Sequence, residues 1–246
     1  MLILVDELVN FFDVHPKGVL HVGAHEAEEA HEYQRHGWGH VIWVEMLPDK
    51  YVALHKRFAN DDRATVLNAA CWDQDGVKLP LFRAANGQSS SLLRPEEHLT
   101  AHPTITFNQD GDIVTSRLDT ILPTTIEFDF INFDIQGAEL RALRGLGARL
   151  NDVRWAYLEV NWRRLYTDCA LIGDIDDFMK DAGFERMATR IARPFGWGDA
   201  LYVRIDRMTL RERLAQRARS ALWRGTVAVR EALPQLVTSG LPGAKP

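Results

Sequence analysis

Short apolar runs alternate with mixed stretches along most of the chain. GVLHVGA (Gly18–Ala24) is an almost unbroken apolar run ending in glycine, HVIWVE (His40–Glu45) is a second, and ATVLNAAC (Ala64–Cys71) is a third. Strands buried on both faces of a parallel sheet read this way, without the alternation of a half-exposed strand. Between them, residues Glu26 to His36 contain no breaker and end at Gly37, and Pro48 to Phe58 opens on a proline, so both read as helices. A short helix over Leu2 to Phe12, closed by His15-Pro16, precedes the first strand. Strand, helix, strand, helix, strand predicts parallel βαβ units with right-handed crossovers.

The rhythm breaks over residues 72–117, which are rich in Asp, Gly, Asn, Ser and Pro and hold only short extended pieces. A stretch of this length inside a compact domain predicts a functional excursion of strands and loops. Alternation resumes with DFINFDI (Asp129–Ile135), a helix from Ala138 to about Leu146, and VRWAYLEV (Val153–Val160). A helix over Ile172–Ala182 then leads to GFERMATR and DALYVRI (Asp199–Ile205), an expected antiparallel pair. The expected fold is α/β: a single Rossmann-like, doubly wound domain over residues 1–205 with a mostly parallel, seven-stranded sheet.

From Met208 the pattern is helical, with Leu210, Leu214, Ala218 and Leu222 every four residues and arginines between them. Residues 206–246 are therefore a basic helical extension, and its final LPGAKP is expected to be disordered. The favoured reading packs the stripe on the domain or on a partner subunit, leaving a homo-oligomer open. The alternative is a peripheral contact with anionic lipid.

Composition narrows the class. With 46% hydrophobic and 26% charged residues the chain reads as a globular protein, and two cysteines cannot build a disulfide framework. The opening MLILVDELVNFFDVHP lacks a basic start, and Asp6 and Glu7 interrupt its apolar run. Neither a signal peptide nor a membrane span is expected, and the expected compartment is the cytoplasm. The net charge of −5 hides an asymmetry: residues 204–246 hold nine basic and three acidic side chains, residues 1–203 hold 20 and 31. An acidic body argues against nucleic acid as partner.

Candidate chemistry sits at the strand ends, where open α/β sheets place their ligand crevice. HVGAHEAEE (His21–Glu29) has one glycine, Gly23, able to let backbone approach a ligand, and then Ala24, His25 and Glu26. A dinucleotide site needs further glycines for its pyrophosphate, and the acids here would repel it. S-adenosylmethionine carries no phosphate, and its ammonium and sulfonium suit nearby acids. Glu45 ends the second strand 22 positions after Gly23, close to the separation of about 20 at which an acid meets an adenosine ribose.

Asp134, Gly137 and Glu139 follow the next buried strand, and Glu159 and Asn161 the one after. Asp134 is a candidate proton acceptor or a contact to the methionyl ammonium. Glu139 is a candidate base or a first-turn acid favoured by the helix dipole. Glu159 is a further reserve. The histidines and Cys71 lack a metal-ligand spacing, so no metal is expected, and no nucleophile elbow or phosphate-binding loop is present.

These segments together, VLHVGAHEAEE, VIWVE, NAACWDQDG, SSSLL, VTSRLDTIL, DFINFDIQGAELRALRG and AYLEV, resemble the FkbM family of methyltransferases over about residues 18–185. The resemblance implies a class I methyltransferase fold and O-methylation of a hydroxyl on a sugar, glycan or other small molecule, with S-adenosylmethionine as cofactor. It implies that His21, Gly23, Ala24 and His25 line the methionine moiety and that Glu45, with Met46 beside it, binds the ribose. Ala70, Cys71 and Asp73 would border the adenine, and Asp134 would lie next to the sulfonium. The chain departs from the family pattern at His21, His25, Ala27 and Gln136. Two rival readings remain: an inactive nucleotide-binding module of the same fold, and an NAD-dependent oxidoreductase.

Overall fold

The computed structural model describes the backbone of residues 1–239 and the side chains of residues 1–228. In chain order the elements are α1 (Val5–Phe12), β1 (Gly18–Val22), α2 (Ala30–Arg35), β2 (His40–Glu45), α3 (Pro48–Arg57), β3 (Ala64–Asn68) and β4 (Ala70–Cys71). Then come β5 (Lys78–Ala84), α4 (His98–Ala101), β6 (Phe107–Ser116), α5 (Leu118–Ile121), β7 (Phe130–Phe133) and α6 (Glu139–Gly145). A 3-10 turn precedes β8 (Trp155–Asn161), α7 (Ile172–Asp181), β9 (Phe184–Ala192), β10 (Trp197–Arg204) and α8 (Leu210–Ser239).

Seven strands form one sheet in the order β3-β2-β1-β7-β8-β10-β9, and only β10 runs against its neighbours. This is the class I methyltransferase arrangement, with the sheet order reversing between β1 and β7. Alternate residues of each strand feed two cores. Leu20, Val22, Ile131, Phe133 and Leu158 pack under α6 and α7, while Val19, Trp43, Phe130, Trp155 and Leu201 pack under α1 to α3 and α8. Both faces being covered explains the near-continuous apolar runs.

Three expectations are corrected. The run Ala64–Cys71 is two strands: Asn68 Nδ2 donates to the carbonyls of Glu45 (2.8 Å) and Met46 (3.1 Å), ending β3 at the edge of the main sheet. The chain then enters a second sheet, β4-β6-β5, which forms the excursion. The helix expected from Glu26 begins only at Ala30, because His25 and Ala27 adopt left-handed backbone (φ 44° and 54°) and keep residues 24–29 in turns.

The third correction concerns α8. It packs on the domain with Gln216, Ser220 and Trp223 inward, while Leu210, Leu214 and Leu222 face solvent. Ser220 Oγ donates to the Met187 carbonyl and Trp223 meets Phe12 at 6.0 Å, so the domain surface selects a polar and aromatic stripe over the leucines. The tail residues 241–246, expected to be disordered, lie outside the described residues. No helix among the described residues is long and apolar enough to cross a membrane.

Candidate active site

The site forms where β1, β2, β7 and β8 end. Gly23 leaves β1 with φ 85°, and a Cβ there would lie 1.8 Å from the Asp134 carbonyl oxygen. The glycine is therefore required by the neighbouring strand: β7 exits across the space a side chain would fill. Gly23 N–H donates to the Val44 carbonyl (2.9 Å) and Asp134 N–H to the Val22 carbonyl (3.0 Å), so three strand ends are tied at this point.

Glu45 closes β2 and is only 5% exposed. Its two oxygens accept from the backbone N–H of His25 and of Leu47, each at 2.8 Å. Burial raises its pKa, opposed by those two donors. The carboxylate thus sits directly beneath the glycine turn in a fixed rotamer, with further lone pairs for a ligand hydroxyl.

Two connected cavities meet over Gly23, His25, Gln88 and Asp134, which line both. The larger, about 410 Å³, is bounded by Glu28, Glu159, Asn132 and Tyr157 on one side and by His98, His102, Leu165 and Trp197 on the other. The smaller, about 40 Å³, lies over Glu45, Met46, Ala69 and Cys71, and the strip containing Gly87, Ser90 and Leu92 covers it.

After β7 the chain runs Asp134-Ile135-Gln136-Gly137, with Gln136 in a left-handed conformation (φ 56°). That turn swings the Gln136 amide between two acids: Nε2 donates to Asp134 Oδ1 and to Glu159 Oε2, both at 2.8 Å. On its other side Gln136 Oε1 accepts from the Tyr166 hydroxyl (2.8 Å). Burial first, then Asp134 and Glu139, holds the Glu159 carboxyl well above the usual range. Asp134 is the exposed member of the pair and lines both cavities.

Beneath lies a polar chain. Asn132 Nδ2 donates to the Tyr33 hydroxyl (2.9 Å), which meets His21 Nδ1 at 3.2 Å, and the His21 ring lies 4.9 Å from Trp43. Burial lowers the His21 pKa, so the ring is a neutral part of the floor.

The expected site residues divide. His21, Gly23, His25, Glu45, Met46, Cys71, Asp134 and Glu159 line one or both cavities. Ala24, Ala70, Asp73 and Glu139 do not. Ala24 packs into the core beside Ala27 and Tyr33, and Ala70 packs with Trp72, Leu92 and Ala138. The Asp73 carboxylate is held by Arg141 at 2.7 Å. Glu139 is fully buried, and its Oε1 accepts from the N–H groups of Ile135 (3.0 Å) and Gly137 (3.1 Å), so it braces the turn carrying Asp134. Asn161 is also buried away from the cavity.

Sequence reasoning missed the far wall of the larger cavity. His98, His102, Leu165 and Trp197 come from α4, the segments after it and β10, with no motif to announce them. The His98 ring lies tilted against His102 (4.7 Å) and Tyr166 (5.3 Å), and burial, then His102, pushes its pKa down to about 4. The serines of SSSLL are largely structural: Ser90 Oγ donates to the Gly87 carbonyl (2.7 Å) and Ser91 Oγ to the Gln136 carbonyl (2.8 Å).

An adenosyl group suits the donors here: a buried acid at the second strand end, an apolar strip of Ala69 and Cys71, and a buried His25 Nε2 with no partner. The cavity over Glu45, about 40 Å³, is smaller than a nucleoside, and Gly87, Ser90 and Leu92 form one of its walls.

Residues 21–186 match the family model of the methyltransferase FkbM domain. No curated protein matches the chain in sequence. Among solved structures, Streptococcus pneumoniae Sp1610, provisionally assigned as a tRNA (m1A22) methyltransferase, is 17% identical, with 83% of this chain and 70% of that one covered and a TM-score of 0.48. The TrmK protein of M. capricolum, in complex with S-adenosylhomocysteine, is 8% identical (85% and 73% covered, TM-score 0.46). The magnesium protoporphyrin IX methyltransferase of Synechocystis PCC 6803, with bound S-adenosylmethionine, is 13% identical (76% and 69% covered, TM-score 0.43).

Proposed function

Because the chain belongs to the FkbM family of S-adenosylmethionine-dependent methyltransferases, we propose that it methylates a hydroxyl oxygen of a sugar, glycan or other small molecule. The observation that carries this reading is Asp134, an exposed carboxylate shared by both cavities, where the cofactor side meets the acceptor side. Glu45 would hold the ribose hydroxyls, with Met46, Ala69 and Cys71 against the adenine. Gly23 and His25 would flank the methionine moiety.

When bound, the cofactor supplies an electrophilic methyl group on a sulfonium. The protein's task is to align the acceptor oxygen and take its proton, since an alcohol is barely acidic. Asp134 takes that proton. Gln136 fixes the Asp134 rotamer through Oδ1. The wall of His98, His102 and Trp197 offers flat faces to a ring-shaped acceptor. His98 stays neutral at physiological pH and adds no repulsion.

Asp134→Ala should leave S-adenosylhomocysteine affinity within a few-fold, measured by calorimetry, and lower turnover by about 100-fold or more on any hydroxyl acceptor found by mass spectrometry. Unchanged turnover would remove Asp134 from the mechanism. A methyl group found on nitrogen or carbon would overturn the O-methyl assignment.

A further inference from the structure

Helix α8 presents its apolar stripe to water. Leu210, Leu214 and Leu222 are 71%, 56% and 67% exposed. Exposed Ala218, Ala221 and Gly225 fill the same face between and beyond them. A single exposed leucine is ordinary, but a continuous stripe along one helix face marks a contact surface. The side facing the domain is already satisfied by Gln216, Ser220 and Trp223, so no rotation of the helix could bury the leucines without exposing that tryptophan.

Charge identifies the occupant. Between Leu210 and Ala228 the helix carries five arginines and one acid, Glu212, which is engaged with Thr209 at the helix start. Arg217 pairs with Glu185 (2.8 Å) and Arg219 with Asp13 (3.3 Å), clamping the helix to the domain. Arg211, beside the stripe, has no ion-pair partner among the described residues. We propose that the α8 face bearing Leu210, Leu214 and Leu222 lies flat on an anionic lipid bilayer, leucines in the acyl boundary and arginines at the headgroups.

Other occupants fit less well. A second copy of α8 would offer Arg211 no acid between Leu210 and Ala228 except Glu212, which is engaged with Thr209. A nucleic acid would satisfy the arginines and leave the leucines in water. At 30 residues the helix is about 45 Å long, enough for a flat contact, while its composition keeps it from crossing the membrane. Long arginine side chains can extend from such a face to the headgroups. The contact is separate from the catalytic cavity, so it stands or falls independently of the acceptor.

Co-sedimentation of the full chain tests this, using vesicles of phosphatidylcholine alone or mixed about two to one with phosphatidylglycerol. The mixed vesicles should bind about tenfold more strongly, and Leu214→Glu should lower that binding about tenfold. Arg211→Glu should lower it about fivefold, less so at high salt. Both positions face solvent, so the variants keep the wild-type melting temperature and S-adenosylhomocysteine affinity. Equal binding to both vesicles, or a Leu214→Glu variant that binds like wild type, would overturn the proposal. So would a dimer in solution that Leu214→Glu dissociates, or binding to duplex DNA in place of vesicles.

Discussion

Replacing Gln136 with glutamate changes one nitrogen for one oxygen at the centre of the site and should make stability depend on pH. In the wild type the amide donates to Asp134 and Glu159 at 2.8 Å each. A hydrogen bond of this kind contributes about 1 kcal/mol with a neutral acid and about 1.5–3 kcal/mol with a charged one. A carboxylate there would instead face a charged oxygen at roughly 3 Å, a repulsion of about 5 kcal/mol at an effective dielectric of about 20. Capturing a proton costs less: from an ordinary glutamate pKa of about 4.3, holding it at pH 7 costs about 4 kcal/mol. The variant therefore folds with an extra proton.

The sign follows from linkage. The folded variant binds more protons than the unfolded chain, so its stability falls as pH rises from about 4.3 to the raised folded pKa. Urea denaturation should show a loss of about 4 kcal/mol relative to wild type at pH 7, shrinking to about 1 kcal/mol at pH 5. A loss equal at pH 5 and pH 8, or no loss at pH 8, would refute the bridging role of the amide.

Gly23→Ala should destabilise by about 3 kcal/mol or more, because the added Cβ meets the Asp134 carbonyl at 1.8 Å and the backbone is left-handed. Gly37→Ala, also left-handed but with open space around it, should cost only about 1 kcal/mol, and thermal melts of the pair separate strain from overlap. The neutral His98 predicts an acid-sensitive term. Its folded pKa is depressed to about 4, so the unfolded chain takes up the proton first, and stability is lost as pH falls from about 6.5 towards 4. Allowing for solvent in the cavity, this amounts to about 1–2 kcal/mol, and His98→Phe should lose that much less than wild type between pH 7 and pH 4.5 in denaturant titrations. Equal losses in both proteins would remove His98 as the source.

The parallel core was legible because β1, β2, β7 and β8 are buried on both faces and read as apolar runs. What remained hidden depends on partners distant in sequence. ATVLNAAC gives no sign of its break, since the break is made by the Asn68 amide reaching the end of β2. The late start of α2 rests on left-handed His25 and Ala27, residue types that do not advertise that conformation. For α8 the period gave the stripe but not the side from which the domain approaches.

The cavity lining was legible where a strand end dictates a position, as at Gly23, Glu45, Asp134 and Glu159. Residues chosen by adjacency lie outside that lining. Ala24 and Ala70 are neighbours of lining residues whose methyl groups enter the core, and Asp73 is captured by Arg141. Gln136 is a departure from the family pattern, yet the structure makes it the link between the two acids.

A crystal structure of the chain with S-adenosylhomocysteine tests the central claim most directly. The ribose hydroxyls should fall within hydrogen-bond distance of the Glu45 carboxylate, the sulfur should face Asp134, and the strip around Gly87 should stand displaced from Cys71. An adenosine bound elsewhere, with Glu45 still held only by His25 and Leu47, would contradict it.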